Sequence, residues 1–378
     1  MKRLPEPVLI DKPYQLSKLV AALRHERIIA VDTESNSLYA YQEQVCLIQF
    51  STTEDDYLVD PLALDDLSSL EPIFSSTEIE KVFHAAEYDL ICLSRDFGFT
   101  FTNLFDTMVA ARILGREAVG LGSMLEDEFG VRTDKRFQRA DWGRRPLPTD
   151  MKNYARMDTR YLIPLRDHLL ASLHQTHLWA LAKEDFDLLC QVNGYPVNGE
   201  KKNIEEPWGI RGAVDLTPQG AAVLLDLCRY RDKVARRINR PLFKVINNQT
   251  LLVIASDSPR NLHELGAIQG MSPKQVRRHG NNILRAVKRG LRLDPIYPPK
   301  YPKHSVAYLQ RMDRLRQWRK YTAQDMGVQS DVVMPRALLE KLARQRPTDE
   351  QELASILSDV PWRLDKFGSQ ILEELYSD

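Results

Sequence analysis

Residues 28–34 read Ile-Ile-Ala-Val-Asp-Thr-Glu, a short apolar run that ends in two carboxylates, Asp32 and Glu34. The apolar part reads as a buried strand. In extended chain, residues i and i+2 project to one face, so Asp32 and Glu34 can converge on one point. Working outward, residues 45–50 and 57–59 read as further strands, and 81–84 as another buried strand running into a helix over 87–97, with Gly98 as its C′ residue. Helices are expected over 107–114, stopped by Gly115, and over 121–129, stopped by Gly130. Thr149 is expected to cap one long helix over 150–177 that Pro164 kinks. Strands first, then mixed strands and helices, predict an α/β domain with a mixed sheet.

Two more carboxylates sit where they could join the first pair. Asp89 falls in the first turn of the helix that leaves the 81–84 strand. Asp158 follows Tyr154 by four residues, so phenol and carboxylate share one helix face. Four carboxylates from three segments repel one another unless cations hold them. Oxygen-only ligands favour Mg²⁺ or Mn²⁺. Each piece alone has an ordinary structural explanation: a turn, a surface pair, or compensation of a helix dipole. Their order and contexts together favour a shared cation site over these separate explanations.

The rest of the chain sets the surroundings. It has 378 residues, 43% hydrophobic and 28% charged, and no run of 18 apolar residues that could span a membrane. The N-terminus lacks the pattern of a signal peptide, and four scattered cysteines form no C-x-x-C pair, which fits a reducing cytoplasm. The net charge of zero hides a polarity: residues 1–200 carry 21 basic and 32 acidic side chains, residues 211–300 carry 17 and 6, and residues 301–378 carry 12 of each. Residues 196–211 read as a Gly-, Pro- and charge-rich linker. Beyond it only helices are expected, over 218–238, 249–255, 261–267, 273–279, 282–291, 306–326, 335–344, 349–357 and 362–375, with a proline-rich linker at 294–303.

AVDTES (30–35), FHAAEYDL (83–90) and YARMD (154–158) resemble the three exonuclease motifs of the DEDD superfamily, in its tyrosine-containing branch. The segments 103–115 and 121–147 resemble those of the ribonuclease D family, and the two helical modules are similar to its tandem HRDC domains. The resemblance implies a ribonuclease-H-like exonuclease domain with a mixed sheet over 1–195, followed by all-α HRDC-type modules at 212–293 and 304–378. It implies a 3′→5′ exoribonuclease that releases 5′-mononucleotides, acts in tRNA 3′ processing on RNA with a free 3′ end, and uses two divalent ions, Mg²⁺ or Mn²⁺. Asp32 would bridge both ions, Glu34 and Asp158 would serve the nucleophile-side ion, Asp89 would support the other through water, and Tyr154 would orient the attacking water. A DNA-directed exonuclease of the same chemistry stays open, because only a contact to the 2′-hydroxyl tells the two polymers apart. A silent RNA-binding protein is the remaining alternative, and the complete carboxylate set argues against it.

Candidate nucleic-acid contacts are His84, Arg145 in the basic loop around Lys135 and Arg139, and Arg236, Arg237, Lys274 and Arg277 of the basic module. Each has a plain structural alternative, a hydrogen-bonded histidine or a solvated charged face. Asp106 reads as a helix N-cap and Trp142 as a packing anchor. The charge-balanced last module is expected to act as a spacer, a lid or an interaction surface.

Overall fold

The structure, a computed structural model, describes residues 6–191, 207–299 and 304–376. The linker up to residue 206, and residues 300–303 of the proline-rich linker, lie outside the described residues. Contacts divide the chain into two compact units, one of residues 6–34, 45–191 and 304–376, the other of residues 35–44 and 207–299.

The first unit holds a six-stranded sheet of β1 (Val8–Ile10), β2 (Ile28–Ser35), β3 (Val45–Ser51), β4 (Asp56–Val59), β5 (Glu80–Phe83) and β6 (Leu104–Asp106), in the order β1-β4-β3-β2-β5-β6. β4 runs antiparallel to β3 and parallel to β1, while β2, β5 and β6 run parallel to one another, so the sheet is mixed as the sequence predicts. All seven residues of β3 are buried, as in a strand covered on both faces. The helices beside the sheet are α1 (Pro13–Leu23), α2 (Glu71–Phe74), α3 (Glu87–Phe97), α4 (Thr107–Ile113), α5 (Leu121–Phe129), α6 (Thr149–Arg160), α7 (Leu162–Gln175) and α8 (Trp179–Cys190). Gly98 and Gly130 end α3 and α5 in the left-handed conformation, φ 74° and 64°.

The expected single helix over 150–177 is two helices. The chain turns at Tyr161, and Pro164 falls in the first turn of α7, where its missing N–H costs no hydrogen bond. Pro148 rather than Thr149 is the N-cap of α6, with no side-chain cap.

The second unit contains α9 (Pro218–Arg237), α10 (Leu242–Val245), α11 (Asn248–Asp257), α12 (Leu262–Ala267) and α13 (Pro273–Gly290), around a core that includes Val223, Leu227, Leu251, Ile254 and Ile283. Residues 207–211, assigned to the linker from sequence, begin with a 3₁₀ turn, Pro207–Gly209, and their Ile210 joins this core. α13 replaces the two short helices expected over 273–291. Gly280 does not break it because it gives close approach: a Cβ there would lie 2.6 Å from Leu262 Cδ2. The loop 35–44 belongs to this unit, where the Tyr41 hydroxyl donates to Asp232 and its ring lies 5.5 Å from the Arg236 guanidinium.

The last helices, α14 (Val306–Met326), α15 (Ser330–Val333), α16 (Arg336–Gln345), α17 (Glu350–Ile356) and α18 (Pro361–Tyr376), build their own core around Leu315, Leu342 and Phe367. They are also fastened to the sheet domain. Arg363 has no exposed surface and reaches Glu184 at 3.0 Å and Asp185 at 2.7 Å, both on α8, and the carbonyls of Val332 and Val333 at 2.8 and 3.0 Å. Arg112 of α4 pairs with Asp331 of α15 at 2.5 Å. This module is a built-in part of the first unit.

Candidate active site

Parallel strands deliver the site. Ala30 is in register with Val82, and Phe83 with Asp106, so Asp32, His84 and Asp106 all stand at the carboxyl ends of neighbouring parallel strands. That is where open α/β sheets place their ligands. Glu34 follows Asp32 on the same strand face. Asp89 is buried in the first turn of α3 and accepts a hydrogen bond from the Thr33 hydroxyl. Tyr154 and Asp158 project from one face of α6. A cavity of about 410 Å³ is lined by Asp32, Glu34, His84, Tyr154 and Asp158, and by Ser123, Lys135 and Gln138. The sequence-predicted carboxylates thus gather at one place, four from three segments, with Asp89 just behind the cavity wall.

Burial is the largest cause pushing up the pKa of each of the four, followed by mutual repulsion for three of them. Asp32 is held well above the ordinary aspartate value by burial and then by Asp89, Asp158 and Glu34. Glu34 is pushed to about 9 by burial and by Asp158 and Asp89. Asp158 rises to about 7 by burial and by Asp89. Asp89 rises to about 7 by burial, although its bond from Thr33 opposes the rise. Such a set is unfavourable as four anions and fits hard divalent cations with oxygen ligands. Among the described residues no group of three His, Cys, Asp or Glu already stands in ready-made coordination geometry, so cations would draw the carboxylates together.

These carboxyls hold protons in the folded protein that they lose in the unfolded chain. Their contribution to stability is therefore full below the unfolded values near 4 and is lost as pH rises towards about 7 for Asp89 and Asp158 and about 9 for Glu34. In EDTA the thermal midpoint should fall between pH 5 and 9, and Mn²⁺ should restore it most at the alkaline end. A midpoint equally insensitive to pH with and without Mn²⁺ would contradict this electrostatic reading.

Tyr154 is clamped by Phe137 and Trp142, with ring centroids 5.8 and 6.0 Å away. Its pKa is raised by burial and then by Asp158, Glu34 and Asp32, so the phenol keeps its proton at neutral pH. Trp142 is 1% exposed and packs beneath the site. Asp106 does cap α4, accepting from the backbone N–H of Met108 and Val109. The same carboxylate also accepts from Ala85 and Ala86, at 3.1 and 2.7 Å, and so shapes the turn that joins His84 to the helix of Asp89. Ala85 in that turn has φ 63°, a strained value for a residue with a Cβ. The sequence signal for this role was an Asp-Thr pair at a strand end, legible only as a cap.

The basic candidates divide. Arg145 is not at the cavity: its guanidinium is spent on both Asp60 oxygens, at 2.5 and 2.6 Å, and on the carbonyls of Cys46 and Trp142, because Asp60 is buried and needs a counter-charge. Arg236 is half engaged, with Tyr41 and Asp232. Arg237, Lys274 and Arg277 are exposed. Lys135 reaches the cavity wall, as do Ser123 and Gln138, which no sequence pattern marked.

The 3′-5′ exonuclease family profile matches residues 7–174, and the HRDC domain profile matches residues 220–287 and 309–375. The protein RRP6-like 1 of Arabidopsis thaliana is 31% identical over 302 residues, which are 77% of this chain and 47% of that protein. Ribonuclease D of Desulfotalea psychrophila is 29% identical over 311 residues, 82% of each. The crystal structure of the catalytic core of RRP6 from Trypanosoma brucei is 30% identical, with a TM-score of 0.65 over 76% of this chain and 80% of that one. The chain spans less than half the length of the first curated relatives it matches. Sheet, carboxylate cluster and matches together define a 3′-5′ exonuclease domain followed by two HRDC domains. The chain belongs to the ribonuclease D family.

Proposed function

We propose that this chain is a 3′→5′ exoribonuclease that hydrolyses phosphodiesters with two divalent cations, Mg²⁺ or Mn²⁺, and that precursor-tRNA 3′ ends are among its substrates. The observation that carries the reading is the convergence of Asp32, Glu34, Tyr154 and Asp158 at one cavity, with buried Asp89 close enough to act on Asp32 electrostatically. These four carboxylates would hold the ions, which when bound stabilise the attacking and leaving oxygens of an in-line displacement. Tyr154, kept protonated, can hydrogen-bond the attacking water and fix its direction, a positioning role rather than that of a base. Phe137 and Trp142 hold its ring in place.

RNA would be gripped through the basic HRDC domain. α13 carries six Lys and Arg side chains and no acidic one, and Lys274, Arg277, Arg278, Arg285 and Lys288 are exposed. On α13, Lys274, Arg278, Arg285 and Lys288 fall on one stripe, which suits a phosphate backbone. The four free cysteines fit a reducing cytoplasm as the place of action.

The test is product analysis on a 5′-labelled RNA with a free 3′-hydroxyl. Stepwise shortening from the 3′ end, release of nucleoside 5′-monophosphates, silence in EDTA and recovery with Mg²⁺ or Mn²⁺ are expected. Products ending in 3′-phosphate, or full activity in EDTA, would overturn the reading. Equal rates on a DNA of the same sequence would move the assignment to a nuclease without sugar preference.

A further inference from the structure

The first HRDC domain carries a cleft that the catalytic account does not use. Ser258 ends α11 in the left-handed conformation, φ 48°, and the turn it starts forms one wall. The carboxyl-terminal half of α13 forms the other, and the cleft between them measures about 730 Å³, within the range of small-ligand sites. Its apolar lining is Pro259 and Val287, both buried, with Leu284 half-buried and Leu291 46% exposed. Its charged lining is all cationic: Arg260, Arg285 and Lys288 are exposed, and no lining residue is acidic. Among the described residues the side chains of Arg260, Lys288 and Asn281, which also line it, have no hydrogen bond or ion pair. Arg285 donates to the Asn281 carbonyl at 3.3 Å and to the Asn282 side-chain oxygen at 2.5 Å, but pairs with no acid. Arg289 on the same helix is paired, with Asp226 at 2.8 Å, and does not line the cleft.

An apolar floor rimmed by cations selects a ligand with one apolar face and an anionic edge. A metal ion is repelled, and inorganic phosphate would leave the floor unused. Duplex RNA presents its phosphates, but its base faces are stacked away inside the helix. An unpaired nucleotide offers both at once. Its base can cover the aliphatic floor, and a guanidinium plane such as that of Arg285 stacks on a base of any identity. The flanking phosphates suit Arg260 and Lys288, and the Asn281 amide brings both a donor and an acceptor to the base edge. The stripe of Lys274, Arg278, Arg285 and Lys288 runs into the cleft, since its last two members line it. That continuity favours RNA over an acidic peptide.

We propose that this cleft holds one unpaired nucleotide of a bound RNA, its base against Leu284 and Leu291 and its phosphates on Arg260 and Lys288. The proposal rests on the exoribonuclease reading above for RNA as the ligand. It adds a choice of RNA form, made away from the carboxylates: an RNA with an unpaired nucleotide is held more tightly than a fully paired one.

The test compares a hairpin RNA that has a single-stranded 3′ tail with the same RNA whose tail carries abasic riboses, so that charge is equal. Binding to the full chain would be measured in EDTA over a salt series for wild type, Leu291→Ser and Lys288→Gln. Both residues are exposed, so neither change disturbs the core of the domain. Wild type should prefer the tail with bases by about tenfold, the low end of what one stacked base contributes. Leu291→Ser should lose most of that preference and keep the salt dependence. Lys288→Gln should keep the preference and lower the salt slope by about one. A preference that survives intact in Leu291→Ser overturns the proposal. Free AMP that binds more tightly than the tail would assign the cleft to a loose nucleotide, and a helical peptide of Glu and Leu that does so would assign it to a protein; either overturns the RNA assignment. Shortening of the same tailed RNA by wild type with Mg²⁺ reads the nuclease assignment separately. Cleavage without any base preference in binding overturns the cleft alone, and preference without cleavage overturns the exoribonuclease reading.

Discussion

Asp158→Asn should lose cleavage by more than about 10³-fold, since removing even one oriented charge-stabilising group commonly costs 10²–10³. The substitution keeps the shape of the side chain and replaces an anionic ligand by a neutral amide, so Mn²⁺ binding should weaken with activity. Tyr154→Phe, one helical turn away on α6, should behave differently. The ring stays packed between Phe137 and Trp142, and only the phenolic oxygen is lost. Turnover should fall about 10²-fold, the cost of a misplaced attacking group, while metal binding and RNA affinity stay near wild type. Single-turnover cleavage, RNA affinity and Mn²⁺ binding on both variants check the split. Wild-type turnover in Tyr154→Phe, or unchanged metal binding in Asp158→Asn, would show that this helix face is not the site.

Arg363→Ala should destabilise the protein by about 3–5 kcal/mol, the usual result of removing one partner from a buried ion pair. The guanidinium has no exposed surface, and its loss leaves Glu184, 6% exposed, and Asp185 facing each other without a counter-charge. It also strips the Val332 and Val333 carbonyls of their donor. Burial already raises the pKa of both carboxyls against the pull of Arg363, so without it they should take up protons and the deficit should shrink at low pH. Denaturant unfolding at pH 5 and 8 measures this. A loss below about 1 kcal/mol, the scale of a surface pair, would mean that the contact holds nothing together.

How much could be seen in advance depends on how local each signal is. Asp32 and Glu34 were legible because strand alternation puts them on one face, and Tyr154 with Asp158 because a helix repeats every turn. α3, α5 and α14 were bounded correctly where left-handed glycines, Gly98, Gly130 and Gly327, end them. β1 and β6 were not seen, since three residues carry too little periodicity. α1 and α8 were missed as well, and Pro164 was read as a kink because its position relative to a helix start depends on where the chain turns at Tyr161. What stayed hidden is long-range pairing: Arg145 with Asp60, Arg363 with Glu184, and the facing wall of Ser123 and Gln138. None of these leaves a mark in sequence spacing.

The four buried carboxylates should together hold two cations at one site. Mn²⁺ titrated into the full chain at pH 7, with bound ions and released protons counted together, tests it most directly. Glu34, Asp89 and Asp158 have values of about 9, 7 and 7, so they hold protons that metal must displace. Two ions per chain, bound with proton release that disappears in Asp32→Asn, are the predicted result. No saturable binding, or binding that leaves the protons in place and survives Asp32→Asn, would contradict the account.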